Sequence, residues 1–109
     1  SQIRRIGDTI MENVKTVYYS GEHSRIVLDA SFPEGIKEIK ILSDRELVFF
    51  LDTAQGVIEI VFFSNIPIKT QECSESGCDF NPLFFAKGVK RIKLESIYNG
   101  DSILIENVI

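Results

Sequence analysis

The sequence has no tryptophan and one histidine, and its only thiols are Cys73 and Cys78. A structural zinc site needs about four ligands, and these cysteines with His23 supply three. The seven glycines are dispersed at turns, so the phosphate-binding glycine loop of nucleotide enzymes is missing. No run of eighteen apolar residues occurs, so no membrane-spanning helix is predicted within the sequence. These shortages predict neither a metal nor a cofactor.

Basic residues are also few, with 12 Lys and Arg against 16 Asp and Glu, a net charge of −4 and a pI near 5.0. Nucleic acids and anionic membranes attract basic surfaces, so neither is predicted as a partner. The local exception is a basic cluster in one strand, which divides between its two faces and is interpreted as solvated. Its members are Lys87, Lys90, Arg91 and Lys93.

What the sequence does contain is typical of one globular domain, residues 1–109. Hydrophobic residues make up 44% and charged residues 26%, and eight phenylalanines predict a core of aliphatic and benzyl side chains. A chain of 109 residues buries roughly two thirds of its unfolded surface, so the fold does not depend on disulfides. We expect a monomer or a weak dimer.

Residues 1–19 form the one long helical pattern, and Gly21 is a stop signal for it. Apolar residues recur at steps of three and four, which places them on one helical face. The beginning has no comparable signal, and we expect the helix to continue upstream of Ser1. The predicted core stripe consists of Ile3, Ile6, Ile10, Val14 and Val17.

The remainder of the sequence has the alternation of β-strands. Two of the predicted strands, 46–52 and 57–63, are apolar on both faces and are therefore expected at the centre of a sheet. Asn99-Gly100 predicts a hairpin with a two-residue turn. The seven predicted strands span residues 25–32, 37–42, 46–52, 57–63, 66–69, 89–97 and 102–107.

These elements predict an α+β fold. The N-terminal amphipathic helix, within residues 1–21, packs on a β domain of residues 22–109. That domain is a mainly antiparallel sheet or sandwich of about six to seven strands. Within this β domain, residues 64–87 lose the periodicity of strands and are predicted to form a long surface excursion.

The two cysteines bracket the polar segment CSESGC inside this excursion. A metal site lacks ligands, and a redox pair is usually closer in sequence and begins a helix. A disulfide outside the reducing cytosol is the favoured interpretation, with free thiols as the alternative. Cys73 and Cys78 are therefore the candidate disulfide.

His23, with Ser20 or Ser24 as nucleophile, is the one combination of residues that could suggest a hydrolase. Catalytic triads assemble from residues distant in sequence, and neighbours on an extended chain point apart, so His23 is interpreted as an exposed residue after the helix. Glu59 interrupts an apolar strand and is interpreted as an outward-facing or paired carboxylate. No catalytic residue is predicted, and the chain is not expected to be an enzyme.

Two segments resemble the archaeal type IV pilin-like proteins, which are made with a class III signal peptide. They are TVYYSGEHSRIVLDASFPEGIKEIKI, where a helix passes through glycine into a strand and a Pro-Glu-Gly turn, and the hairpin GVKRIKLESIYNGDSILIEN. The resemblance implies a cleaved leader, an apolar helix upstream of Ser1 and an amphipathic half-helix packed on an antiparallel β domain. This sequence would then be the soluble domain without the apolar segment.

The resemblance also implies a function. The domain would belong to a membrane-anchored pilin-like or surface-filament subunit, located at the cell surface and acting in assembly and display. Its partners would be other pilin-like subunits, reached through the upstream apolar helix, which would also be its only membrane contact. The alternative is a ligand-binding or accessory β domain that uses residues 64–85 for recognition. A concave apolar pocket beneath residues 83–85 would favour that alternative, and a flat, mobile loop would weaken it.

Overall fold

The computed structural model of the chain describes residues 2–108 and begins with a helix, α1 (Gln2–Ser20). All five residues of the predicted stripe are buried, with Ile10 and Val14 each 1% exposed. The helix ends at the glycine expected to stop it, where the Gly21 N–H donates to the Tyr18 carbonyl oxygen. The hydroxyl of Ser24 then donates to the carbonyl oxygen of Val17, at 2.9 Å, and satisfies one group of the last turn. Ser1 lies outside the described residues.

The nine strands of residues 2–108 form two sheets, and the α+β prediction is confirmed. Sheet one has the order β1-β8-β9-β5 and sheet two the order β4-β3-β2-β7-β6. All pairs are antiparallel except β5 with β9. The strands are β1 (Arg25–Phe32), β2 (Ile36–Leu42), β3 (Glu46–Thr53), β4 (Gly56–Phe63), β5 (Ile68–Lys69), β6 (Glu72–Ser74), β7 (Gly77–Asp79), β8 (Gly88–Ile97) and β9 (Ser102–Val108).

A single core joins α1 to both sheets. The helix lies against β1, β8 and β9 of sheet one and reaches β4 of sheet two. Both sheets supply aliphatic side chains and aromatic rings. Phe32 of sheet one packs on Phe49 of sheet two with 6.4 Å between the ring centroids, and Phe49 is in edge contact with Phe62 at 5.6 Å. Burial of these apolar faces is the main stabilising contribution to the fold. The fully buried members from the sheets include Ile39, Ile41, Leu47, Phe49, Ile92, Leu94, Ile103 and Ile105.

Of the two strands predicted to be central, one is central and the other is not. β3 lies between β4 and β2 and buries three consecutive residues, 47–49. β4 is the edge strand of sheet two, and its residues Val57 and Ile58 are 48% and 50% exposed. The prediction for β4 was wrong. It assumed that apolar residues on both faces of a strand are always covered on both faces, whereas the outer half of the β3–β4 hairpin extends past the other elements and is left uncovered.

The excursion at residues 64–87 is more regular than predicted, since it contains β5, β6, β7 and a short helix, α2 (Pro82–Phe85). β7 pairs with β2, so the segment extends sheet two instead of running over the surface. Close approach needs a glycine at this point: a Cβ on Gly77 would lie 2.6 Å from the Ile41 carbonyl oxygen, and its φ is +128°. β5 falls inside the strand predicted at residues 66–69, whereas β6 and β7 escaped prediction because strands of three residues have no measurable alternation.

The hairpin predicted from Asn99-Gly100 is present between β8 and β9, with a longer turn than expected. The last strand pair is Ile97 with Ser102, which leaves four residues in the loop. Three of them, Tyr98, Asn99 and Gly100, have positive φ angles. The Asn-Gly pair therefore supplies the left-handed backbone of a turn that begins one residue earlier.

Candidate ligand-binding site

A cavity of about 220 Å3 opens between the β6–β7 hairpin, α2 and the end of β9, and we call it the hairpin pocket. Three chain segments far apart in sequence build it: residues 70–72, 79–84 and 105–107. Its polar lining residues are Thr70, Gln71, Glu72, Asp79, Asn81, Glu106 and Asn107. Leu83 and Phe84 line it, as expected of a pocket beneath residues 83–85, but Phe85 does not, and the lining is of mixed polarity instead of apolar.

The pocket has an apolar side formed mainly by aromatic rings. Phe80 and Phe84 stack with their ring centroids 4.4 Å apart, and Phe84 is 2% exposed. Ile105 of β9 is buried beside them. At the rim, Leu83 is 68% exposed, so an apolar side chain stands open to solvent at the entrance.

The short helix α2 sets these side chains in opposite directions. Asn81 caps it, because its Oδ1 accepts the Leu83 N–H at 2.9 Å while its carbonyl oxygen accepts the Phe84 N–H at 2.8 Å. Pro82 then occupies a first-turn position, where its missing N–H costs nothing. The result is that Phe84 turns into the core and Leu83 turns to the rim.

On the other side, a disulfide holds the β6–β7 hairpin. Cys73 and Cys78 face each other in the strand ladder and are bonded, which confirms the predicted pair. The next pair in the ladder is Glu72 with Asp79, two lining residues of the pocket. Thr70 closes the base of the hairpin, since its hydroxyl donates to the Asp79 carbonyl oxygen at 2.8 Å and accepts the Glu72 N–H at 3.1 Å. This part of the rim is therefore fixed by one covalent bond and two hydrogen bonds.

Ion pairs use two of the three carboxylates that line the pocket. Lys93 lies 2.8 Å from Glu106, and Lys40 lies 3.6 Å from Asp79. Gln71 also donates to Glu106, at 2.7 Å. The hydrogen bond that Lys93 donates to Glu106 is the main reason that the pKa of Lys93 is raised, so Lys93 stays charged at neutral pH. Neither lysine lines the pocket, and the lining has no positive side chain.

We predict that removing the disulfide loosens this rim more than the fold. Replacing Cys73 and Cys78 together by alanine should lower the free energy of unfolding by about 2 kcal/mol, because the closed loop is short. Urea denaturation would measure this loss, and hydrogen exchange should quicken chiefly at residues 70–81. Ser76→Ala, in the same turn, is the control and should change stability by less than about 0.5 kcal/mol. Unchanged exchange in the double variant would contradict the prediction.

The serine hydroxyls considered for a hydrolase are bound elsewhere. Ser20 donates to the Thr16 carbonyl oxygen at 2.7 Å, and Ser24 donates to the carbonyl oxygens of Val17 and Gly21. His23 is exposed, with a φ of +69°, and receives neither hydroxyl. The three residues considered for catalysis therefore do not assemble into a nucleophile and base.

Glu59 lies on the surface away from the hairpin pocket, whereas the basic cluster reaches the pocket at Lys93, which pairs with the lining residue Glu106. Arg91 pairs with Asp29 at 3.2 Å across β1 and β8, and Lys93 bridges Glu95 and Glu106. Glu59 is exposed on β4, opposite Phe50. Local ion pairs therefore take up part of the basic charge, which fits the interpretation of a solvated face.

Comparisons of the chain with protein-family models, curated proteins and solved structures gave no match. Within residues 2–108, no three His, Cys, Asp or Glu side chains are grouped so that they could hold a metal ion. Over the same residues, no helix combines the length and the apolarity needed to cross a membrane.

Sequence reasoning located one side of the pocket and missed the other. The excursion and residues 83–85 had been singled out, whereas Ile105, Glu106 and Asn107 had been assigned only to the last strand. Their contribution depends on how sheet one, which contains β9, packs on sheet two, whose strand β2 contacts α2. Nothing in the local pattern of residues 102–107 signals it.

Proposed function

We propose that this chain is a non-enzymatic, extracellular domain of a membrane-anchored pilin-like or surface-filament subunit, acting in assembly and display. The observation that carries the proposal is the way α1 lies on the antiparallel sheets with its apolar stripe buried. This is the arrangement that the resemblance to pilin-like proteins implies. In such a subunit, the partners are other pilin-like subunits, joined through an apolar helix upstream of Ser1, and no nucleic acid is involved.

The disulfide is a second support for this proposal. Disulfides persist outside the reducing cytosol, and Cys73–Cys78 is a bond in the described part of the chain. A location on the cell surface, with the membrane contact confined to the upstream segment, agrees with such an environment.

The gene sequence upstream of Ser1 and the location of the full-length protein in cells test the proposal. A short basic leader followed by about twenty apolar residues directly before Ser1 is expected. The protein made from the full gene should then sediment with membranes or sheared filaments, and loss of the apolar segment should release it. An initiator methionine directly before Ser1, or a full-length product confined to the cytosol, would contradict the proposal.

The hairpin pocket supports a second candidate function, a ligand-binding β domain that uses residues 64–85 for recognition. Its support is a concave site with an apolar floor and a rim held by a disulfide. A screen of small polar and apolar fragments by two-dimensional amide NMR tests it. Fragments that shift the amides of residues 70–72, 79–84 and 105–107 would support it, whereas a screen in which none does would contradict it.

A further inference from the structure

We infer that the hairpin pocket binds a neutral, polyhydroxylated ring, either a monosaccharide or the end unit of a longer saccharide. The inference rests on the second candidate function and gives it a ligand class. Three observations carry it: the charge of the lining, the hydrogen-bonding groups left available at the rim, and the apolar side of the cavity.

The charge of the lining disfavours anions and does not require a cation. No Lys or Arg lines the pocket, so a phosphate or carboxylate ligand would meet three carboxylates and no opposing charge. Of these carboxylates, Glu106 and Asp79 are already paired with lysines outside the cavity. Only Glu72 lacks such a pair among the ion pairs of residues 2–108, and it is exposed to solvent. A neutral ligand therefore fits the lining best.

The rim still offers both donors and acceptors. Asn81 uses its Oδ1 to cap α2, which leaves its amide nitrogen to donate. Asn107 also lines the pocket, and both the donor and the acceptor of its side-chain amide are available. Glu72 supplies a further acceptor. A hydroxyl group both donates and accepts, so a ligand that carries several hydroxyls matches this mixture better than a ligand of one polarity.

The apolar side fits the C–H face of a sugar ring. Leu83, 68% exposed at the rim, offers an apolar side chain to the C–H groups of a ligand, and the buried Phe80, Phe84 and Ile105 form the apolar floor beneath it. The cavity of about 220 Å3 has room for roughly seven water molecules at about 30 Å3 each. One sugar ring is of that size, whereas the rest of a longer chain would extend past Leu83 into solvent.

The rim is also held in place before any ligand arrives. The disulfide and the Thr70 hydroxyl fix the hairpin that carries Glu72, and Asn81 fixes α2. A rigid site loses less conformational entropy on binding, which matters most for small, weakly bound ligands.

Amide NMR titration of the oxidised protein tests the inference. The probes are methyl α-glucoside, methyl β-galactoside, methyl α-mannoside and N-acetylglucosamine, with inorganic phosphate and butylamine as charged comparisons. At least one sugar should shift the amides of residues 70–72, 79–84 and 105–107 with a Kd on the order of 1 mM. Phosphate should shift none of them.

Two variants test whether the sugar binds in the hairpin pocket. Asn107→Ala and Leu83→Ala should each weaken binding about fivefold, because each removes one contact at the rim. Asn65→Ala changes an exposed asparagine outside the pocket and should bind as the unchanged protein does. Having both rim variants keeps the test valid if one of them folds poorly, and equal binding by a folded rim variant would overturn the placement.

The remaining outcomes separate the ligand class from the function. If butylamine or screened fragments shift the lining amides and no sugar does, the saccharide inference is overturned while the ligand-binding function stands. If no probe or fragment shifts them, both are overturned.

Discussion

Replacing Gly7 with leucine is expected to lower the free energy of unfolding by about 3 kcal/mol, by overpacking the contact between α1 and β4. Gly7 is buried in the helix, and a Cβ built on it would overlap the ring of Phe62. Even one added carbon must therefore displace the ring or the helix, and leucine adds four.

The ring of Phe62 has little freedom to move away. It is 4% exposed and lies in edge contact with Phe49, at 5.6 Å between centroids. The guanidinium carbon of Arg4 lies over it, 5.2 Å from its centroid. Since interiors are close-packed, a displacement of this ring is transmitted to its neighbours.

Urea denaturation of four proteins would measure the effect: the unchanged chain, Gly7→Leu, Phe62→Ala and the double variant. Phe62→Ala alone should cost about 3 to 5 kcal/mol, as a truncation in the core. In the double variant the leucine can occupy part of the space that the Phe62 ring vacates. The loss of unfolding free energy in the double variant should therefore be clearly smaller than the sum of the losses in the two single variants. Glu12→Ala, on the exposed face of α1, is the control and should change stability by less than about 0.5 kcal/mol. Strict additivity would contradict the proposed overlap.

Gly7 also shows what a sequence alone cannot explain. In an isolated helix, glycine is less favourable than alanine by about 1 kcal/mol, so local propensity argues against it at this position. Its reason is the ring of Phe62, which is 55 residues further along the chain. The stripe around it was predictable, because Ile6 and Ile10 follow the helical period and nothing more than periodicity is needed to place them.

For the strands, too, the local pattern was predictable from the sequence and the contacts between distant residues were not. The apolar pattern located the six long strands to within one residue at each end, and the turn residues located the closing hairpin. Sheet order is decided by contacts between distant strands, and local pattern does not encode it. β4 illustrates this, because Val57 and Ile58 predicted a two-sided cover that the sheet does not supply.

The candidate site was half predictable for the same reason. Cys73 and Cys78 could be paired from their spacing and polar surroundings, and Leu83 belongs to residues 64–85, the segment that the alternative function assigned to recognition. Asn107 could not be assigned to a pocket, because it becomes a lining residue only when β9 lies beside α2. Sites built from several segments are visible only after the fold has brought the segments together.

Two isoleucines, one in the core stripe and one on the edge strand, give the second large expected effect. Ile10→Ala should lower the free energy of unfolding by about 4 kcal/mol, since Ile10 is 1% exposed and its truncation leaves a cavity between α1 and the sheets. Ile58→Ala makes the same chemical change on β4, where the side chain is 50% exposed, and should cost about 1 kcal/mol or less. Urea denaturation at several protein concentrations would measure both losses.

The difference between these two variants tests whether β4 is a free edge in solution. In a monomer the smaller loss at Ile58 should be the same at every protein concentration, because solvent already covers half of the side chain. If a second copy covered β4, Ile58→Ala would cost as much as a core truncation, and the cost would grow with concentration. Equal losses at Ile10 and Ile58 would therefore contradict an uncovered β4, whereas a large, concentration-independent difference agrees with the fold described above.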